Sequence, residues 1–481
     1  MKKSYMQCKR MMTFSCIFPE QTPDKIESYL DKISTIEAIE FISYYNLKLC
    51  YKITSESNFD IFSPILFKLK KDVLLPVFKY LNSIPINEYI FLDAYPLLLL
   101  TEKLLINYNE STTPLDSENY KNLMKAYWVL SNEFVNSSIP NIQNNEQFIE
   151  TYIPSQLPLN DIYYPKDYRV EFIKIYNFIN FCKNDPSFSK NMLIFESYYG
   201  ITANDYFKRL LKLYLLITTN ENGMSPIVYS DNDDAIKSFM DILSFDINEY
   251  KSSEDFRFIR EKPILKVSEN RFVVLFIKFF IDKLFSSFLF DFSRILSSSK
   301  ESSIDGFPSL KKILGKQFTE KYLFYEIIAR CFKGQSDSMI DGESFKPEIK
   351  DGEPDYYIRI DDCVLLFECK DSILTSKTKY SRDISKIKED INELFVESTI
   401  NKTTGKKIPP QKKAVKQLLN VISTKLPIIH EKIDKTSYNK LQIYPILVYT
   451  DNNFDIDGIN HLLNQRYLAL KEELHYYQDI A

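Results

Sequence analysis

Glu353-Pro354-Asp355-Tyr356-Tyr357-Ile358, followed by Leu365-Leu366-Phe367-Glu368-Cys369-Lys370, is the stretch that decides how the last third of this 481-residue chain folds. Both runs read as strands. Residues 355–360 are rich in aromatic and β-branched side chains, and residues 363–370 contain the apolar run Val364-Leu365-Leu366-Phe367. Asp361-Asp362 between them is a tight connection. Side chains at i and i+2 of a strand share one face, so Glu368 and Lys370 point the same way and Cys369 points to the other. Phe367 and Cys369 then belong to the core, while the charged pair lines a cleft. A hairpin also brings its outer ends together, which sets Asp355 beside Glu368.

Working outward, residues 318–332 read as a buried helix, 338–346 as a first strand, and Asp351-Gly352 as a turn. After the hairpin come a helix at about 414–423, a strand at 441–449 and a closing helix within 456–474. Helix, three-strand meander, helix, strand is an α/β order with a mixed sheet flanked by helices. The first half reads mainly helical: Thr22-Pro23 resembles a capped helix start before Ile26, Leu30 and Ile33, and helical spacing recurs at Phe172, Ile175 and Ile179 and at Phe207, Leu210 and Tyr214. Residues 263–267 and 271–275 form a β-hairpin pattern, a long apolar helix follows to about Leu296, and 297–303 is a serine-rich connector. The expected division is a helical region at 1–255, a hairpin-plus-helix connecting region at 256–303 and an α/β domain at 304–481.

Composition narrows the function classes. Only 9 glycines occur, with neither GxGxxG nor GxxxxGK[ST], which excludes the usual Gly-rich phosphate loops. Net charge is -4, so any nucleic-acid surface has to be a local patch. Seven cysteines at 8, 16, 50, 182, 331, 363 and 369 make no CxxC pair, as expected of reduced thiols in a cytosolic protein. Residues 1–19 lack a signal-peptide core, and the most apolar window, 272–292, is interrupted by Lys278, Asp282, Lys283 and Asp291. A cytoplasmic protein without a membrane partner is the expectation.

Two carboxylates at one end of a sheet make a hard, oxygen-only site suited to Mg²⁺, with Mn²⁺ as a substitute. Such an ion polarises a phosphodiester and lowers the pKa of a bound water. Lys370 beside that water is placed to orient it or to offset charge developing on the phosphate. The bland alternative makes Asp355 a turn residue and Glu368 and Lys370 a solvated pair at a strand end.

In these residues the sequence resembles the PD-(D/E)xK superfamily of restriction-endonuclease-like nucleases. Pro354-Asp355 matches the PD, Glu368-Cys369-Lys370 matches the (D/E)xK, and the resemblance covers roughly residues 307–450. It implies that Asp355 and Glu368 bind the metal and that Lys370 assists the attacking water. It also implies a helix glutamate, for which Glu320 and Glu326 are the candidates, and a glutamine from the later helix, Gln417. The RecB-like pattern places a tyrosine four residues after that glutamine, where this chain has Val421.

Lys377, Lys379 and Arg382 follow the second run, and Lys402, Lys406, Lys407, Lys412, Lys413 and Lys416 crowd a later stretch without an acid. They read either as phosphate-backbone contacts or as a solvated loop, which Gly405 and Pro409-Pro410 mark as such. The resemblance implies a Mg²⁺-dependent nuclease acting on DNA, in a setting such as bacterial defence against foreign DNA. The alternatives are an RNA-directed enzyme and a catalytically inactive nucleic-acid-binding or assembly subunit on the same fold. A homo-oligomer or an operon-encoded partner engaging the N-terminal region is left open.

Overall fold

The computed structural model describes residues 9–51, 57–138, 144, 147–219, 223–230, 233–253, 255–349, 352–381, 383–400, 406–436 and 441–480. The protein is mixed α/β with a helical N-terminal region. It forms two compact units, one of Met1–Ile139, Pro165–Asn180 and Ser189–Ile295, the other of Pro140–Tyr164, Phe181–Phe188 and Leu296–Ala481. The expected regions were 1–255, 256–303 and 304–481, and the two units cut across them. Residues 256–295 are built into the first unit, and two segments from the first half belong to the second. No helix among the described residues is long and apolar enough to cross a membrane.

The first unit is helices plus a four-stranded sheet and a parallel pair of short strands, Arg10–Met11 and Tyr89–Ile90. Ser57 and Asp60 form a reciprocal capping box at the start of Asn58–Leu66, and Thr202 caps Ala203–Thr218 by accepting from the Asp205 amide at 3.1 Å. Thr22-Pro23 caps nothing: the helix there is the short Ile26–Leu30, and Lys25 precedes it without a side-chain cap. The expected hairpin exists as Ile264–Ser268 and Arg271–Val274, in a four-stranded sheet with Ile227–Tyr229 and Ser244–Asp246. The single long helix after it does not. The chain forms Ile277–Asp282 and then Ser286–Ser298, and three of the charges that interrupt the apolar window, Asp282, Lys283 and Asp291, are buried in ion pairs. Lys283 meets Asp291 at 2.8 Å, and Lys166 meets Asp282.

Counting elements within the second unit, a helical rod comes first. It runs through α1 (Phe307–Leu314), π-type turns at Gly315–Phe324 and α2 (Tyr325–Phe332), so it starts well before residue 318. Strand β1 (Ser338–Asp341) is short because Asp341 accepts from the Ser344 amide and starts a helical turn, Gly342–Phe345. Strands β2 (Tyr356–Ile360) and β3 (Cys363–Lys370) follow, then helices α3 (Ser376–Tyr380) and α4 (Ile384–Phe395). Strands β4 (Glu397–Ile400) and β5 (Lys407–Lys412) form a separate two-stranded ribbon. Helix α5 (Ala414–Asn420) continues in π-type and α turns to Asp434, strand β6 spans Gln442–Tyr449 and α6 spans Ile459–Ile480.

The main sheet has the order β6-β3-β2-β1, with β6 parallel to β3 and the rest antiparallel. Its two faces follow the period of two in β3. Val364 and Leu366 pack with Tyr357 against Leu418, Val421, Leu426 and Ile429 of the α5 rod. Phe367 and Cys369 pack with Tyr356 and Ile358 against Phe324 and Ile328 of the first rod. A third apolar cluster joins Ile153 and Leu157 to Leu374, Ile387, Phe395, Phe454 and Ile459, which explains how residues 140–164 come to belong here. Gly458, at φ +91°, lets this packing close, since a Cβ there would lie 2.5 Å from Ile153 Cδ1.

Candidate active site

Asp361 turns the β2–β3 hairpin with a left-handed φ of +49°, a conformation Asp tolerates better than most residues. The register pairs Tyr356 with Phe367, so the next position out sets Asp355 opposite Glu368. The Asp355 N–H donates to the Phe367 carbonyl at 3.0 Å, and the Cys369 N–H donates to Asp355 Oδ2 at 2.6 Å. Glu368 and Lys370 share a face and are in direct contact through Oε1 and Nζ. Cys369 goes to the opposite side and is buried against the first rod. In one respect the arrangement differs from a charged pair lining an open cleft. Glu368 is only 1% exposed, which also removes the reading of a solvated pair.

That burial sets the electrostatics. Burial, then the neighbouring Glu368, holds the Asp355 carboxyl well above the usual carboxylate range, against the opposing pull of Lys370 and the Cys369 amide. Burial likewise raises Glu368, although Lys370 acts in the other direction. Lys370 is pulled down by burial but raised overall, because Glu368 and Asp355 together favour its charged form. Two carboxylates and one ammonium therefore share a desolvated space that is short of positive charge.

Glu320, in the π-type turns, adds to that deficit by raising both Asp355 and Glu368 through its charge. It accepts from the Tyr325 hydroxyl at 3.0 Å, and burial together with Glu320 raises that phenol. Gly342 makes room for the contact, since a Cβ there would lie 2.7 Å from the Tyr325 hydroxyl oxygen. Glu326 goes elsewhere: it is exposed and pairs with Arg330 at 2.7 Å. Of the two helix glutamates, the structure brings Glu320 to the cluster.

Helix α5 packs on β3 and brings two more groups. Gln417 Oε1 and Glu368 Oε2 are both buried and have no hydrogen-bond partner among the described residues. Lys413, at the start of the helix, is lowered by burial and by the charge of Lys370. Among the described residues, no three His, Cys, Asp or Glu side chains already form a metal-holding group. What stands here is an oxygen-only, anionic set with two unpartnered buried acceptors, and that donor chemistry fits a hard divalent cation such as Mg²⁺.

The other basic residues separate. Lys377 is exposed, whereas Lys379 is largely buried and pairs with Asp161 at 3.7 Å. Arg382, Lys402 and Gly405 lie outside the described residues. Lys407 and Lys412 are exposed on a strand rather than on a loop: despite Pro409-Pro410, Lys407–Lys412 pairs with Glu397–Ile400. Lys406, just before that strand, is exposed as well. The sequence reading missed Asp371, the residue after Lys370. It accepts from Lys311 at 2.6 Å, Thr319 at 3.0 Å and Thr450 at 2.5 Å, tying the helical rod and the end of β6 to the end of β3. No spacing rule flags it; its position next to Lys370 was the one available signal.

Comparison with protein-family models, curated proteins and solved structures finds no match to this chain.

Proposed function

We propose that this chain is a metal-dependent nuclease, with DNA the favoured substrate, on a restriction-endonuclease-like second unit. The observation that carries the reading is the convergence of Asp355, Glu368 and Lys370 at one end of the sheet. The order of helix, antiparallel meander, helix and a last strand parallel to β3 supports it.

Asp355 and Glu368, with Glu320 behind them, are the residues to hold a divalent ion. When bound, that ion supplies a water of lowered pKa and polarises the phosphate. The two carboxylates facing Lys370 favour its charged form, which makes it the cation of the site. Its charge stabilises negative charge developing on the phosphate oxygens. Gln417 offers a carbonyl oxygen to orient a donor such as water. Lys406, Lys407, Lys412 and Lys413 supply backbone contacts without sequence information.

One observation favours a second reading, an inactive nucleic-acid-binding or assembly subunit: Glu368 already engages Lys370 and is almost fully buried. Incubation of supercoiled plasmid and of RNA with Mg²⁺, Mn²⁺ or EDTA separates the two. Metal-dependent nicking supports the enzyme. Tight binding with no scission in either metal supports the subunit. RNA cleavage with DNA untouched changes the substrate.

A further inference from the structure

The β4–β5 ribbon is not used by the cleavage chemistry, and its construction calls for an explanation. Among the described residues it is a two-stranded antiparallel ribbon paired with no further strand, with an irregularity between the Ser398 and Ile400 pairings, a feature that increases twist. Isolated hairpins are marginal in water, and this one is fastened at its foot. Glu393 accepts from the Thr399 amide and, at 2.7 Å, from its hydroxyl, while the Lys413 N–H donates to the Val396 carbonyl at 2.9 Å and Lys416 pairs with Glu397 at 2.7 Å.

Beyond that foot the surface is basic and open. Among the described residues, Lys406, Lys407 and Lys412 are exposed there, in a chain of net charge -4, Lys412 also donating to Asn420 at 2.6 Å, while Lys413 and Lys416 belong to the foot. Pro409 and Pro410 lack an N–H, so β5 is a poor template for an added strand, which argues against a peptide partner on its edge. The foot is also next to the candidate site, since helix α5, which follows Lys413, packs on β3.

We infer that this ribbon is a groove-binding arm that seats B-form duplex DNA, entering the major groove with its lysines against the flanking phosphates. Two strands about 5 Å apart with side chains on both faces suit a groove about 12 Å wide, which admits a two-stranded ribbon. The deep, narrow major groove of A-form RNA does not admit it. The inference rests on the proposed nuclease reading for its substrate and adds the form of that substrate, a duplex with a B-form groove.

The test is fluorescence anisotropy in EDTA with the full chain, using a DNA duplex, the RNA duplex of the same sequence and the DNA single strand. Wild type binds the DNA duplex tightest. Lys407→Glu/Lys412→Glu loses at least about tenfold on it, with a salt slope shallower by about two, and changes RNA-duplex affinity less than about twofold. The milder Lys407→Gln/Lys412→Gln pair falls between, with unchanged circular dichroism in both. Undiminished DNA binding by the Glu variant overturns the inference, as does an equal loss on DNA and RNA, which would indicate generic charge. Failure of the nuclease reading shows separately, as absence of metal-dependent cleavage by a wild-type chain that still binds duplex DNA through the ribbon.

Discussion

The backbone N–H of Cys369 donates to Oδ2 of Asp355 at 2.6 Å, so the residue between Glu368 and Lys370 holds the carboxylate that faces them across the hairpin. A single strand thus supplies a glutamate, a lysine and, from its backbone, the group that orients the second acid. Side-chain truncation at Cys369 preserves this bond, whereas a register slip of one residue destroys it and turns Glu368 toward the first rod.

Removing Lys370 leaves Glu368 buried with no countercharge. Lys370→Met is expected to cost about 2–4 kcal/mol of stability at neutral pH, somewhat below a fully buried pair because the lysine is partly exposed. Urea denaturation measures it. Glu368→Gln/Lys370→Met should recover most of the loss, and a single variant as stable as wild type would contradict the buried-pair description.

Glu320 and Glu326 give opposite expectations. Glu320→Gln should reduce Mg²⁺-dependent cleavage at least about tenfold, the scale of losing a supporting metal group. Glu326→Gln, altering an exposed pair with Arg330, should leave it within about twofold. Steady-state cleavage rates decide, and equal effects would remove the assignment of Glu320.

Asp371 acts as a positioning residue, through its bonds to Lys311, Thr319 and Thr450. Asp371→Ala leaves Lys311, Thr319 and Thr450 without their shared acceptor, at an expected cost of about 2–3 kcal/mol. Cleavage at saturating substrate should fall with KM nearly unchanged, and Asp371→Asn should rescue part of the rate. A rise in KM alone would point to a substrate contact instead.

The first unit offers a pH test. Glu102 is held at about pKa 7, chiefly by burial and despite the Tyr250 hydroxyl 2.8 Å away. The folded state therefore keeps a proton that the unfolded chain gives up near the ordinary glutamate value. Stability from this group is present below about pH 4 and is lost as pH rises to about 7, by roughly 3 kcal/mol. Glu102→Gln should flatten that slope in urea titrations across this range, and an unchanged slope would refute the linkage.

The sequence made some elements legible and concealed others for physical reasons. Strand β3 was readable to the residue, because Val364 to Phe367 is a short apolar run ending in alternating charged and buried positions. Strand β5 was not, since Pro409-Pro410 and six nearby lysines carry the composition of a loop and the pairing partner lies across the ribbon. Helix α4 carried a signal in Ile387, Ile391 and Leu394 that the surrounding basic residues obscured. The packing of Ile153 and Leu157 with Phe454 and Ile459 links positions some three hundred residues apart, which no local pattern reports. At the site, the charges were legible from spacing, but the near-complete burial of Glu368 depends on both helical rods and could not be read from β3 alone.

If the proposed function holds, Asp355, Glu368 and Lys370 act together on a phosphodiester. Cleavage of supercoiled plasmid in Mg²⁺ by purified Asp355→Ala and Lys370→Ala, each shown by circular dichroism to be folded, tests it most directly. A loss of at least about a hundredfold in both relative to wild type is expected. Near-wild-type cleavage in both variants would contradict it.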